Sequence, residues 1–266
     1  MSYDGHKGTD FRLVYLNQIN GDGVAVLAAA SGRVTAVRDR LPDIAQGSAG
    51  APDVDKVECG NGVMLDHGDG WQTQYCHMRL GSISVAPGQL IEAGGELGRV
   101  GLSGNTQFPH VYLQVLHNGA VIDPFAPDGT GACGDTVKTL CKSKPAYQPG
   151  GILAAGFATS LLSFENIRCG PQETDSLPLD APALTFWGYF FGLQKNDEVK
   201  ITITQPDGAT LVQQDFTIER SRAVAYRLTG KRRKLAQWPT GPYAGEVTLL
   251  RAGVVFGRNQ VLLDVR

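Results

Sequence analysis

The chain has 266 residues, 24 basic against 26 acidic, a formal charge of −2 and 42% hydrophobic residues. That is apolar material for one large core or two ordinary ones, with no run nearing the roughly 18 apolar residues of a membrane helix and no electrostatic footprint for nucleic acid or an anionic membrane. Its 34 glycines, against a usual share of about 7%, punctuate short runs of Val, Leu, Ile and Thr, which predicts an all-β fold rich in turns.

In chain order, His6-Lys7-Gly8-Thr9-Asp10 comes first, an H-x-x-x-D spacing in a loop that runs into a predicted strand over 11–14. Imidazole and carboxylate are both zinc donors at about 2.0 to 2.2 Å, although this spacing alone is weakly specific. A strand over 32–37 precedes about 20 residues rich in Pro, Asp, Ala and Gly. A loop of that size marks function or disorder and predicts a neighbouring cleft.

Residues 58–67 and 71–76 then read as a hairpin with Asp69-Gly70 at its tip. With Asp66 facing Trp71, Cys59 and Cys76 fall nearly opposite one another, within disulfide reach. Closing that loop is worth about 3 kcal/mol. Cys133 and Cys141 suggest a second clip, leaving Cys169 as a buried free thiol or an exchange partner of that pair. The alternative is five reduced cysteines in a cytosolic chain. No C-x-x-C spacing is present, which argues against a zinc ribbon or a redox pair. No leader is visible at Met1-Ser2-Tyr3-Asp4, so the disulfide reading requires that a signal peptide was removed.

All five histidines fall between positions 6 and 117. His77 closes the hairpin, and in the strand beginning His110-Val111-Tyr112 the two-residue spacing puts His110 and Tyr112 on one face. His67 in the hairpin turn and His117 before Asn118-Gly119 read as structural, the latter as a solvated strand end. Trp71 and Tyr75 read as hairpin packing, and Gly104 and Asn105 as shaping a loop beside the groove.

Residues 6–11 (H-K-G-T-D-F), 60–78 (G-N-G-V-M-L-D-H-G-D-G-W-Q-T-Q-Y-C-H-M), 87–106, 109–115 (P-H-V-Y-L-Q-V) and 119–125 (G-A-V-I-D-P-F) together resemble, in that order, the lysostaphin-type (LytM) zinc endopeptidases that cut peptidoglycan cross-links. The resemblance covers residues 5–126. It implies a LytM-type β-fold, His6 and Asp10 as zinc ligands, and His77 and His110 as groups that assist catalysis. Where the family pattern has H-x-H, this chain has His110-Val111-Tyr112, so the third metal position falls on Tyr112. A neutral imidazole offers a lone pair at pH 7, whereas a phenol with a pKa near 10 must first lose its proton. Zinc occupancy is therefore expected to be weak or absent.

Two functional readings follow. One is a domain that has lost or impaired hydrolysis and keeps its groove to bind peptidoglycan or to regulate another wall enzyme, as degenerate amidase activators of the family do. The other is an active zinc endopeptidase with Tyr112 as an atypical site residue. In both, peptidoglycan or its cross-link peptides are the partner and the compartment is periplasmic or extracellular; in the regulatory reading a cell-wall amidase is a further partner.

Composition divides the chain into residues 1–127, a linker over 128–151 holding Cys133 and Cys141, and a second unit over 152–266. That unit shows hairpins at 199–204 with 209–218 and at 246–250 with 254–259, which predicts an immunoglobulin-like β-sandwich. A third reading gives it the working role, as an adhesin or assembly domain on a scaffold. The basic run Lys231-Arg232-Arg233-Lys234 reads as a solvated loop able to meet anionic wall polymers.

Overall fold

A computed structural model describes residues 6–127, 138–143, 146, 148–172 and 176–266. It divides into two compact units, residues 2–146 and 147–266. Among the described residues no helix is long and apolar enough to cross a membrane.

The N-terminal unit contains β1 (Thr9–Arg12), β2 (Ala25–Leu27), β3 (Gly32–Arg38), β4 (Asn61–Gly68), β5 (Trp71–Met78), β6 (Leu90–Ile91), β7 (Glu96–Arg99), β8 (His110–His117) and β9 (Ala120–Ile122). Seven of them form one sheet in the order β1-β8-β5-β4-β3-β6, with β9 beside β8, and β2 pairs with β7. The strands alternate as a half-buried sheet must. Thr73 and Tyr75 of β5 and Val115 of β8 are buried, and Val63, Leu65, Tyr75, Met78, Leu97 and Val100 form the centre of the core, with Val111 and Leu113 packed against it. The opposite face of β1, β5 and β8 carries Asp10, Arg12, Gln72, Gln74, His110, Tyr112 and Gln114.

The hairpin forms one step away from the expected register. Asp69 and Gly70 both adopt positive φ, 48° and 78°, as a two-residue primed turn requires. That tight turn closes Gly68 onto Trp71, and a bulge between Asp66 and Gly68 sets Asp66 against Gln72. The Cys59–Cys76 disulfide forms nonetheless, with Cα atoms 4.8 Å apart. Cys133 lies outside the described residues, whereas Cys141 and Cys169 are free thiols. Cys169 is half-exposed rather than buried, and donates to Glu165 Oε1 at 3.2 Å. His117 is not simply solvated, since its ring stacks on Trp71 at 4.2 Å between centroids.

The C-terminal unit contains β10 (Gly151–Ala158), α1 (Phe164–Cys169), β11 (Ser176–Leu177), β12 (Ala183–Leu193), β13 (Glu198–Thr204), β14 (Thr210–Thr217), β15 (Arg222–Arg232), β16 (Gly241–Arg251) and β17 (Val254–Val265). Gly151 thus belongs to a strand and not to the connecting segment. One sheet runs β10-β12-β15 and the other β11-β17-β16-β13-β14. Phe157, Leu184, Phe186 and Phe190 of the first sheet meet Val199, Ile201, Ile203, Tyr243, Val247 and Leu249 of the second in one apolar layer. This is a β-sandwich.

Candidate functional site

The polar face of the first unit is built by cross-strand pairing. Asp10 of β1 lies opposite Tyr112 of β8, and Arg12 lies opposite His110. On the other side of β8, Cys76 pairs with Tyr112 and Gln74 with Gln114. Directly opposed residues point to the same side of a sheet, so one row carries Asp10, Tyr112 and Cys76, flanked by His110 and Gln114.

His77 joins this row by breaking the strand alternation. Tyr75 faces the core and Cys76 the polar face, so regular pleating would turn His77 inward. Its φ of +61° is a left-handed conformation uncommon outside glycine. The resulting bend brings its ring to 4.6 Å from that of His110. The backbone is fixed there by the His77 N–H donating to Cys59 O at 2.8 Å, next to the disulfide.

Both buried imidazoles are anchored through Nδ1. His77 Nδ1 lies 2.8 Å from Ser103 O, and His110 Nδ1 lies 2.9 Å from Phe108 O and 3.2 Å from Thr106 Oγ1. A carbonyl only accepts, so Nδ1 carries the proton and Nε2 faces the groove. Burial pushes His77 down to about 4, helped by the charge of His110 and opposed by the bond to Ser103. At neutral pH it is a neutral ring with a bare Nε2.

Asp10 gathers the remaining groups. Its Oδ1 is 3.1 Å from His6 Nε2 and 3.4 Å from His110 Nε2. Burial works to raise its carboxyl, but hydrogen bonding and charge from His110, then from His6, outweigh this and hold it below the ordinary carboxylate value. Tyr112 lies edge-on to His6, with centroids 5.4 Å apart, and 6.2 Å from His77. Its hydroxyl accepts from Gln114 Nε2 at 3.3 Å. The phenol ring lies over the backbone of Gly8, where a Cβ would come within 2.5 Å of it. All five residues singled out from sequence thus converge.

Sequence reasoning anticipated the long loop and Gly104-Asn105 beside the groove but missed Ser103, Asn61 and Phe108 as supports of this site. Ser103 Oγ donates to Met78 O at 2.7 Å and accepts from Asn61 N at 2.9 Å, while the Asn61 side chain ties Arg40, Leu41 and Met78 together. The long loop before β4 supplies part of this wall, with Asn105 N–H donating to Glu58 O and Gln46 N–H to Thr106 O, each at 2.8 Å. Gly104 has φ +82°, and a Cβ there would collide with Glu58 O. Phe108 stacks on His110 at 4.5 Å between centroids, and the Arg12 guanidinium carbon lies 4.8 Å from the centroid of the Phe108 ring. A Pro-His strand start preceded by a Gly-rich loop was the available signal for these groups.

A catalytic zinc needs three protein donors and one open position. His6 and Asp10 are donors of the right type. Among the described residues no group of three His, Cys, Asp or Glu side chains is arranged to hold a metal. The phenol of Tyr112 stands beside the pair, and a phenol must lose its proton before it can serve as an anionic metal donor. The donor set as built therefore does not fit a three-ligand catalytic zinc.

Residues 4–124 match the profile of Peptidase family M23. The chain is 30% identical over 123 residues to the Cell division protein DipM of Caulobacter vibrioides, covering 46% of this chain and 17% of that protein. It is 26% identical over 123 residues to the Peptidoglycan DD-endopeptidase ShyB of Vibrio cholerae, covering 46% and 23%. A solved peptidase M23 structure from Pseudomonas aeruginosa shares 31% identity over 47% of this chain and 44% of its own, with a TM-score of 0.34. The chain thus spans about a fifth of the length of these two curated relatives. Over residues 4–124 the N-terminal unit thus matches peptidase family M23 in sequence.

Proposed function

We propose that this chain is a peptidoglycan-directed protein of the M23 fold whose zinc hydrolysis is impaired or lost, acting as a wall-binding or regulatory module in the periplasm or outside the cell. The observation that carries this reading is the phenol of Tyr112 opposite Asp10, where the resemblance calls for an imidazole. The groove keeps chemistry suited to holding a peptide. Nε2 of His77 and the Asp10 carboxylate accept from backbone N–H groups, while the Gln114 amide and the Tyr112 hydroxyl supply donors. Fixed tautomers and a positioned loop mean that little ordering accompanies binding. The relatives named for cell division and for peptidoglycan cleavage support a wall partner, and a cell-wall amidase is the natural target of a module that no longer cuts.

Co-sedimentation with purified peptidoglycan, followed by analysis of released fragments, tests the proposal. The expected result is binding without release of cross-link fragments, together with less than one zinc per chain after dialysis. Release of fragments by zinc-loaded protein establishes the rival reading, an active zinc endopeptidase with Tyr112 in its site. That rival is favoured by the convergence of His6, Asp10, His77 and His110.

A further inference from the structure

The C-terminal sandwich leaves both of its sheets open along one side, where β15 ends the first sheet and β14 ends the second. Between these two edges lies a cavity of about 400 Å³ lined by Phe216, Ile218, Glu219, Arg220, Arg222 and Arg227, with Thr217. Three guanidinium groups and one carboxylate make its lining strongly basic in a chain that is otherwise slightly acidic.

Arg227 is the unusual member. Along β15, Ala225 and Thr229 are buried, and the period of two places Arg227 on that same inward face. A charged residue therefore occupies a position where the strand pattern calls for a core residue. It is half-buried, with Nη1 donating to Tyr226 O at 2.8 Å and the guanidinium carbon 5.8 Å from the Phe216 ring centroid. Among the described residues Arg220, Arg222 and Arg227 form no ion pair. By contrast Arg251, half-buried in the same unit, is paired with Asp197 at 2.8 Å. An inward-pointing charge also discourages edge-to-edge pairing, but that role needs one charge, and here three surround a single hollow.

We infer that this hollow is a binding site for an oxyanion, a phosphate or carboxylate group on a ligand that the C-terminal unit recognises independently of the M23 groove. The guanidinium fork matches the two oxygens of either group. Phe216 gives the apolar wall against which the rest of the ligand packs.

The test uses the full chain and two polyanions, poly(glycerol phosphate) and poly-D-glutamate, titrated by calorimetry at low salt. At least one is expected to bind, and Arg222→Gln/Arg227→Gln is expected to weaken it by about tenfold or more. Arg258→Gln/Arg266→Gln removes the same charge from exposed positions on β17 and just after it, and it is expected to leave affinity within about twofold. Preference for one polymer identifies the oxyanion source. Should Arg227→Gln disturb folding, Arg220→Gln/Arg222→Gln at exposed positions and amide shifts at Phe216 and Thr217 report on the same hollow. Failure of both polymers to bind, equal weakening by both pairs, or shifts confined elsewhere overturns the inference.

Discussion

Lowering the pH should destabilise the N-terminal unit through His77. Its imidazole titrates near 6.5 in an unfolded chain and at about 4 when folded. Between those values the unfolded state takes up a proton that the folded state refuses, so stability falls as pH drops through this window and levels off below it. A difference of about 2.5 units at 1.36 kcal/mol each gives about 3 kcal/mol. His77→Asn is the matching control. Asparagine tolerates the left-handed backbone, and its amide can replace Nδ1–H toward Ser103 O, yet it does not titrate. Calorimetric melting at pH 7, 5.5 and 4 would follow the unit, whose transition is the one moved by reducing Cys59–Cys76. Wild type should lose about 3 kcal/mol more than His77→Asn between pH 6.5 and 4. Parallel pH profiles for the two proteins would refute the burial argument.

Three other perturbations are quantitative. Replacing Cys59 and Cys76 by alanine opens a loop of sequence separation 17, which should cost the N-terminal unit about 3 kcal/mol in denaturant unfolding while leaving the sandwich transition in place. Gly245→Ala puts a Cβ onto the Phe186 ring, and overpacking of this kind should cost the sandwich about 1–3 kcal/mol, seen as a lower Tm for that unit alone. Asp197→Asn breaks the bidentate contact with Arg251, made at 2.9 and 2.8 Å, and leaves a half-buried guanidinium uncompensated. A loss of about 3 kcal/mol in urea unfolding is expected, and an unchanged midpoint would show that the pair contributes nothing.

Much of this was legible because periodicity and turn chemistry are local. The Asp69-Gly70 turn announced the hairpin, and two-residue spacing put His110 and Tyr112 on one face. What escaped depends on events between segments. A one-residue bulge moved the Asp66 register, since tight-turn geometry prevailed over simple counting. The positive φ of His77, which carries its ring to His110, has no sequence signature, since even histidine, enriched there among non-glycine residues, adopts it in a small minority of cases. Ser103 and Asn61 looked like ordinary polar residues until long-range pairing enclosed them. Arg227 could not be recognised as inward-facing without knowing that β15 is an edge.

The central claim, that Tyr112 denies the M23 domain its third zinc ligand, is tested most directly by measuring zinc bound per chain after dialysis for wild type and Tyr112→His side by side. The account predicts less than one zinc in the wild type and one in the variant. One tightly held zinc in the wild type, undiminished at pH 7, would contradict it.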